Sequence, residues 1–306
     1  MASPPRVSLR RVTPDGVASD LVGELVRADQ QEVVLLPAGR GPVTIPRSQI
    51  RALRRVPARV VRPSSRTDDL QRVMAQGWPG IRTVRMGGWS LHLGEGYSRR
   101  ANSCHPTGDP ERELGIAIDQ VAAFYAQHAL TPCFLLAARD RRADEPAVAL
   151  DAALAERGWL VRTPSRVMVR DLREPLEPQP VRLHWHDEPD GTWLGLEPSD
   201  HPGRLAVLSS APAHYATLHL DGQPVGCGRL VITDDWAGLS CLFVTPAARG
   251  AGHGSALAIA MMARAHELGA RFCYLQLADD NDSAQRLYQS LGFVVHHRYH
   301  YRELVG

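Results

Sequence analysis

Residues 238–260, GLSCLFVTPAARGAGHGSALAIA, constrain the fold more than any other stretch of the 306-residue chain. An unbroken apolar run reads as a strand buried on both faces, the kind found in parallel sheets covered by helices. Three glycines and an arginine then crowd into residues 249–254, and the sequence turns almost wholly apolar in a helix-forming stretch. RFCYLQLA, residues 271–278, is a second buried strand. Strand, turn, helix and strand in that order make a parallel crossover, hence an α/β arrangement. Amides at a helix start attract an anion, and without a Cβ in the way that anion comes close. Phosphate is the expected guest.

The chain holds that guest without lysine, since all 35 of its basic residues are arginine. P-loop NTPases, protein kinases and pyridoxal enzymes are thereby excluded, because each needs a lysine on a phosphate or in a Schiff base. Glycines at 250, 252 and 254 also miss the GxGxxG spacing of dinucleotide folds. The five cysteines are odd in number and widely spaced, which suggests buried thiols rather than disulfides or a metal site. His184 and His186, and the later His296, His297 and His300, come without HExxH or a Cys/His ladder, so no metal is expected. MASPPRVSLR lacks the apolar centre of a secretory signal, and no apolar run reaches membrane-spanning length. The expectation is a cytoplasmic protein with no membrane partner.

Residues 6–55 read as short strands broken by turns at Pro14-Asp15-Gly16 and at PAGRG, which predicts a small all-β, SH3-like barrel over residues 1–57. Residues 1–66 carry twelve arginines against five acidic residues, a net +7 in a chain of formal charge +2. A solvated basic surface is expected for this barrel, with a nucleic-acid or acidic partner as the alternative. A linker follows at 58–66. Residues 67–172 then give a helix begun by Thr67, Asp68 and Asp69 and ended by Gly77, strands, a helix at 113–128, the strand PCFLLAA, and VALDAALAERGWLV as helix, glycine stop and strand. From about residue 173 the order repeats to residue 306, with a hairpin turning at Asp221-Gly222 and a last helix, NDSAQRLYQSLGF, before a closing strand.

LFVTPAARGAGHGSALA, followed some thirty residues later by NDSAQRLYQSLGF, resembles the GCN5-related N-acetyltransferases. Arg249, Gly252 and Gly254 match that family's R/QxxGxG/A turn, and Asn281, Ala284, Leu287, Tyr288, Gly292 and Phe293 match its NxxAxxLYxxxGF helix. The resemblance implies a mixed-sheet fold and acetyl-CoA as co-substrate, its pyrophosphate on Arg249, Gly250, Ala251, Gly252, His253, Gly254 and Ser255. Its pantetheine arm would run along Leu242, Phe243 and Val244, beside a helix carrying Asn281 and Ala284. Tyr288 would protonate the departing thiolate.

Many relatives place a glutamate in the strand before the turn, and none occurs here; Asp280 or a water relay is left as base, and Asp279 and Asp280 equally suit a helix cap. Residues 67–172 look like a second, degenerate copy. Aligned on Gly158 and Gly292, the two put Leu154 at the tyrosine position, and no RxxGxG turn occurs between Asn102 and Gly115. The layout is similar to mycothiol synthase and other tandem acetyltransferases. GYSRRANS is a candidate contact for an acidic part of the acceptor through Arg99, Arg100 and Asn102, with an exposed basic strand as the alternative. The expected activity is acetyl transfer to a primary amine by direct attack, since no cysteine or serine sits where a ping-pong nucleophile would be expected. The alternative is a non-catalytic acyl-CoA-sensing or partner-binding protein.

Overall fold

A computed structural model describes residues 5–37, 40–56, 61–138, 145–174, 176–177 and 181–305. At the N-terminus, β1 (Arg6–Val12), β2 (Ala18–Ala28), β3 (Glu32–Pro37), β4 (Val43–Pro46) and β5 (Ile50–Arg55) form an antiparallel sheet in the order β4-β3-β2-β1-β5. Val7, Leu9, Val33, Leu35 and Ile45 make its core. The expected closed barrel is not formed: β4 and β5 stand at opposite edges with no hydrogen bonding between them among the described residues. β5 gives the reason, since IRALRR offers only a half-buried Ile50 and otherwise exposed side chains, too little apolar face to close over the core. The linker expected at 58–66 lies partly outside the described residues.

The first repeat comprises α1 (Thr67–Gly77), β6 (Arg82–Met86), β7 (Trp89–Leu93), β8 (Cys104–His105), α2 (Leu114–Gln127), β9 (Cys133–Ala138), α3 (Glu145–Glu156) and β10 (Leu160–Asp171). The second comprises β11 (Arg182–His186), α4 (Gly191–Leu196), α5 (Arg204–Leu208), β12 (His214–Leu220), β13 (Gln223–Thr233), β14 (Trp236–Val244), α6 (His253–Glu267), β15 (Phe272–Ala278), α7 (Asp282–Ser290) and β16 (Val294–Glu303). Helix α1 starts one residue earlier than its sequence signals suggest, with Arg66 rather than Thr67 at the N-cap.

Both repeats belong to one eleven-stranded sheet, ordered β11-β12-β13-β14-β15-β10-β16-β9-β8-β7-β6. This order is symmetric about the β10/β16 pair, so that β15 answers to β9, β14 to β8, β13 to β7 and β12 to β6. Each repeat has given its last strand to the other. β10 fills the place beside β15, and β16 lies beside β9. The boundary at residue 172 therefore divides the repeats in sequence but not in the sheet. Exchange is favourable because β10 is apolar on both faces: Met168 enters the core under α6, while Val167 and Val169 enter the layer between α1 and the sheet. Among the described residues no helix is long and apolar enough to cross a membrane.

Candidate active site

β14 and β15 run parallel only while they are paired. Trp236 to Leu239 face Phe272 to Leu275, and beyond Leu239 the pairing stops. The cause lies on the other side of β14, where the register against β13 slips between the pairs Cys227/Phe243 and Arg229/Ser240, one residue extra on β14. Cys241 sits at this bulge with φ +54°. A bulge bends its strand, and a side-chain-bearing residue in the left-handed region costs about 1–2 kcal/mol, a strain that persists where a site needs it. The bend frees the β15-facing edge of Leu242, Phe243 and Val244 for an extended ligand to pair with.

Helix α6 opens at the far end of the turn. Gly250 (φ +85°) and Gly252 (φ +81°) hold left-handed conformations, and the space where either would carry a Cβ is empty to 4 Å. Gly252 is the N-cap and supplies no capping side chain. The amides of His253, Gly254 and Ser255 have no acceptor among the described residues, so an anion at this helix end meets unspent donors and a favourable dipole. Ala251 is exposed beside them. Arg249 folds back, its Nε donating to the Val244 carbonyl at 3.0 Å and its guanidinium lying 5.5 Å from the Phe243 ring. The two halves of the sequence signature meet at Gly254, whose Cβ position is 3.4 Å from Leu287 and 4.0 Å from Val244.

On α7 the Asn281 side chain accepts from the Ala284 amide at 3.1 Å, which makes Asn281 the helix cap. Ala284, Leu287 and Tyr288 pack on the core beneath. The Tyr288 ring meets Phe293 edge-on at 5.6 Å, and its hydroxyl has no hydrogen-bond partner among the described residues. Burial raises the phenol's pKa, with Cys273 adding to the shift, so Tyr288 stays protonated at neutral pH. Asp279 is spent on Arg166 (2.7 Å) and Arg298 (3.9 Å), tying β15 to β10; Asp280 is exposed.

The first repeat carries the same frame, with the corresponding helix start capped by its own side chain. Gly158 (φ +79°) and Gly292 (φ +80°) end corresponding helices. Leu154, at the place of Tyr288, is fully buried. A cavity of about 680 Å³ remains beside β8 and β9, lined by Trp89, His105, Leu135 and Leu150 among others. At the start of α2, however, Glu113 accepts from the amides of Gly115 (2.8 Å) and Ile116 (2.9 Å). Those bonds lower its pKa. The chain's own carboxylate thus takes the donors that α6 leaves open.

Sequence reasoning missed a second, smaller cavity of about 80 Å³ beside the bulge, lined by residues that include Trp78, Arg100, Arg229, Ser240, Cys241 and Tyr274. Ser240 and Cys241 line it and immediately precede Leu242 on β14. An arginine inside the apolar run GCGRLVI was the available signal for this cavity. Of the GYSRRANS residues, Arg100 faces it. Arg99 pairs with Glu303 (2.6 Å), and Asn102 accepts from Gly94 (2.8 Å) and Gly96 (3.1 Å) to hold its own loop.

Residues 64–302 match the family described as "Probable histone acetyltransferase Rv0428c C-terminal". Among curated proteins, the "Probable histone acetyltransferase Rv0428c" of Mycobacterium tuberculosis is 29% identical over 316 residues, covering 97% of this chain and 93% of the relative. The "Uncharacterized N-acetyltransferase YobR" of Bacillus subtilis is 24% identical over 247 residues, covering 76% and 96%. Among solved structures, a GCN5-related N-acetyltransferase from Kribbella flavida superposes with a TM-score of 0.62 at 17% identity, covering 78% of this chain and 95% of that one. The family model spans residues 64–302, most of the chain, and the chain belongs to this family of probable acetyltransferases, with the fold of a GCN5-related N-acetyltransferase.

Proposed function

We propose that the chain transfers the acetyl group of acetyl-CoA to an amine in a single direct attack at the β14/α6/α7 junction, with one coenzyme bound per chain. The observation that carries this reading is the meeting of Val244, Gly254 and Leu287 around a helix start whose amides are unspent. The pyrophosphate takes the α6 amides with Arg249 nearby, and the pantetheine arm pairs along Leu242, Phe243 and Val244. The amine nitrogen attacks the thioester carbon and gives up a proton to water, the C–S bond breaks, and the sulfur takes the Tyr288 proton.

Direct attack is favoured over a cysteine intermediate by Cys241 itself. Its thiol is pushed up to about 11, first by burial and then by the Glu197 charge, so the nucleophilic thiolate is scarce at neutral pH. The M. tuberculosis relative's name points to a protein amine as acceptor, and a small-molecule amine is the other class. The test is release of free thiol from acetyl-CoA across a panel of amines that includes basic peptides. Acetyl-CoA binding with no acceptor-dependent thiol release across the panel would favour the non-catalytic, acyl-CoA-sensing alternative.

A further inference from the structure

The 80 Å³ cavity beside the bulge contains two arginines from different repeats and no carboxylate to balance them. Arg229, on β13, is 1% exposed. Its guanidinium donates to three neutral acceptors: the carbonyls of Gly77 (3.1 Å) and Leu208 (3.1 Å) and the Tyr215 hydroxyl (3.4 Å). Arg100 comes from the first repeat. Both guanidinium groups lie against the ring of Trp78, at 5.3 Å for Arg100 and 4.8 Å for Arg229. Glu197, whose charge reaches Cys241, is already paired with Arg204 at 3.1 Å.

The fully buried side-chain atoms of the cavity that lack a partner among the described residues are both donors. Arg100 Nε and Gln276 Nε2 are buried donors with no partner, and Gln276 Oε1 is taken by the Tyr299 hydroxyl at 2.9 Å. A guanidinium group removed from water without a counter-charge is costly, as is a buried donor left unmatched. The missing partner is therefore an acceptor carrying negative charge. Size limits it as well: an engineered cavity of about 150 Å³ holds benzene, so 80 Å³ admits a carboxylate and a carbon or two.

The cavity wall from Gly238 to Cys241 runs directly into Leu242, Phe243 and Val244, where the acyl arm is placed. A group held here stands one short segment from the thioester carbon. We infer that the acceptor amine carries a carboxylate, as an amino acid does, and that Arg100 and Arg229 bind it in this cavity. The inference rests on the acetyltransferase reading of the adjoining cleft. It also gives the first repeat a part in the site, through Arg100 and Trp78. A basic protein tail suits the cavity poorly, since its charges repeat those already there.

Two measurements test this on the full chain. In the first, thiol release from saturating acetyl-CoA is compared between amino acids and their carboxamides. The acids are expected to be turned over at least about tenfold faster, and Arg100→Met to lose that preference while binding acetyl-CoA normally. Equal turnover of acids and amides, or an unchanged preference in Arg100→Met, overturns the inference. The second needs no turnover. With ¹⁵N-labelled arginine, acetate is expected to shift the Nε–H resonance that disappears in Arg100→Met, and acetamide to leave it in place. Failure of acetate to shift it, or an equal shift with acetamide, also overturns the inference. Should acetyl-CoA fail to bind, the acetyltransferase reading falls, and the acetate titration still decides the cavity.

Discussion

Val169 of the first repeat pairs in register with Tyr274 of the second, in a ladder that runs from Ser165/Ala278 to Asp171/Phe272. The β15 strand at the proposed active site is thus flanked on its outer side by a strand from the other half of the chain. Its fate after cutting is predictable. A fragment of residues 175–306 lacks β10, and with it Met168 and Leu172 from the core under α6. Loss of a large buried side chain costs about 2–5 kcal/mol, and here two go together with a whole ladder. The fragment is expected to be insoluble or molten. A soluble fragment with a sharp thermal transition would show that β16 can return to β15 and that the exchange is optional.

Tyr288→Phe removes only a hydroxyl that no described neighbour uses. Its loss should leave the packing against Phe293 intact and slow turnover roughly ten- to a thousand-fold, with acetyl-CoA affinity nearly unchanged. Steady-state thiol release and calorimetry on the same preparation separate the two effects. Full activity in Tyr288→Phe would reduce Tyr288 to a packing residue.

Acid should destabilise the protein through His297. Gln71 Nε2 donates to its Nε2 at 2.7 Å, which leaves the proton on Nδ1, facing His296 Nδ1 at 2.7 Å. Burial first, and His296 second, hold its pKa down to about 3, against 6.5 for an ordinary histidine. Between those values the unfolded chain binds a proton that the folded chain refuses. Stability is therefore fully present above pH 6.5 and falls as pH drops toward 3, by at most about 1.4 kcal/mol per unit from this residue. His105, also pushed down by burial, acts in the same sense. Urea midpoints at pH 7 and 5 should differ clearly, and less so in His297→Asn. An unchanged difference in that variant would assign the acid sensitivity elsewhere.

The turn and the two helices that frame the proposed coenzyme site were legible because their signals are backbone signals. Gly252 and Gly254 are required by a turn and by close approach, and the helix from Asn281 to Gly292 carries its own cap and stop. What escaped sequence reading depends on distant parts of the chain. Nothing local in VMVRD says that β10 will lie beside β15, because a strand apolar on both faces suits either repeat. The Cys241 bulge appears only as a register slip against β13. Glu113 was read as part of a helix, whereas its position before LGIAI makes it the cap that takes the free amides at the start of α2. Failed closure of the N-terminal sheet turns on the arginines of β5, residues that a strand pattern tolerates and a barrel interior does not.

Calorimetric titration of acetyl-CoA into the full chain, and into Gly252→Val, bears most directly on the central claim. Gly252 holds φ +81° beside open space, so valine both strains the turn and places its methyl groups in the space proposed for the pyrophosphate. The expected result is one equivalent bound by the natural sequence, with affinity lowered at least about tenfold in Gly252→Val, a loss of 1.4 kcal/mol or more. Two equivalents per chain would show that the first repeat binds coenzyme despite Glu113, and undiminished affinity in Gly252→Val would contradict the assignment of the α6 terminus as the coenzyme site.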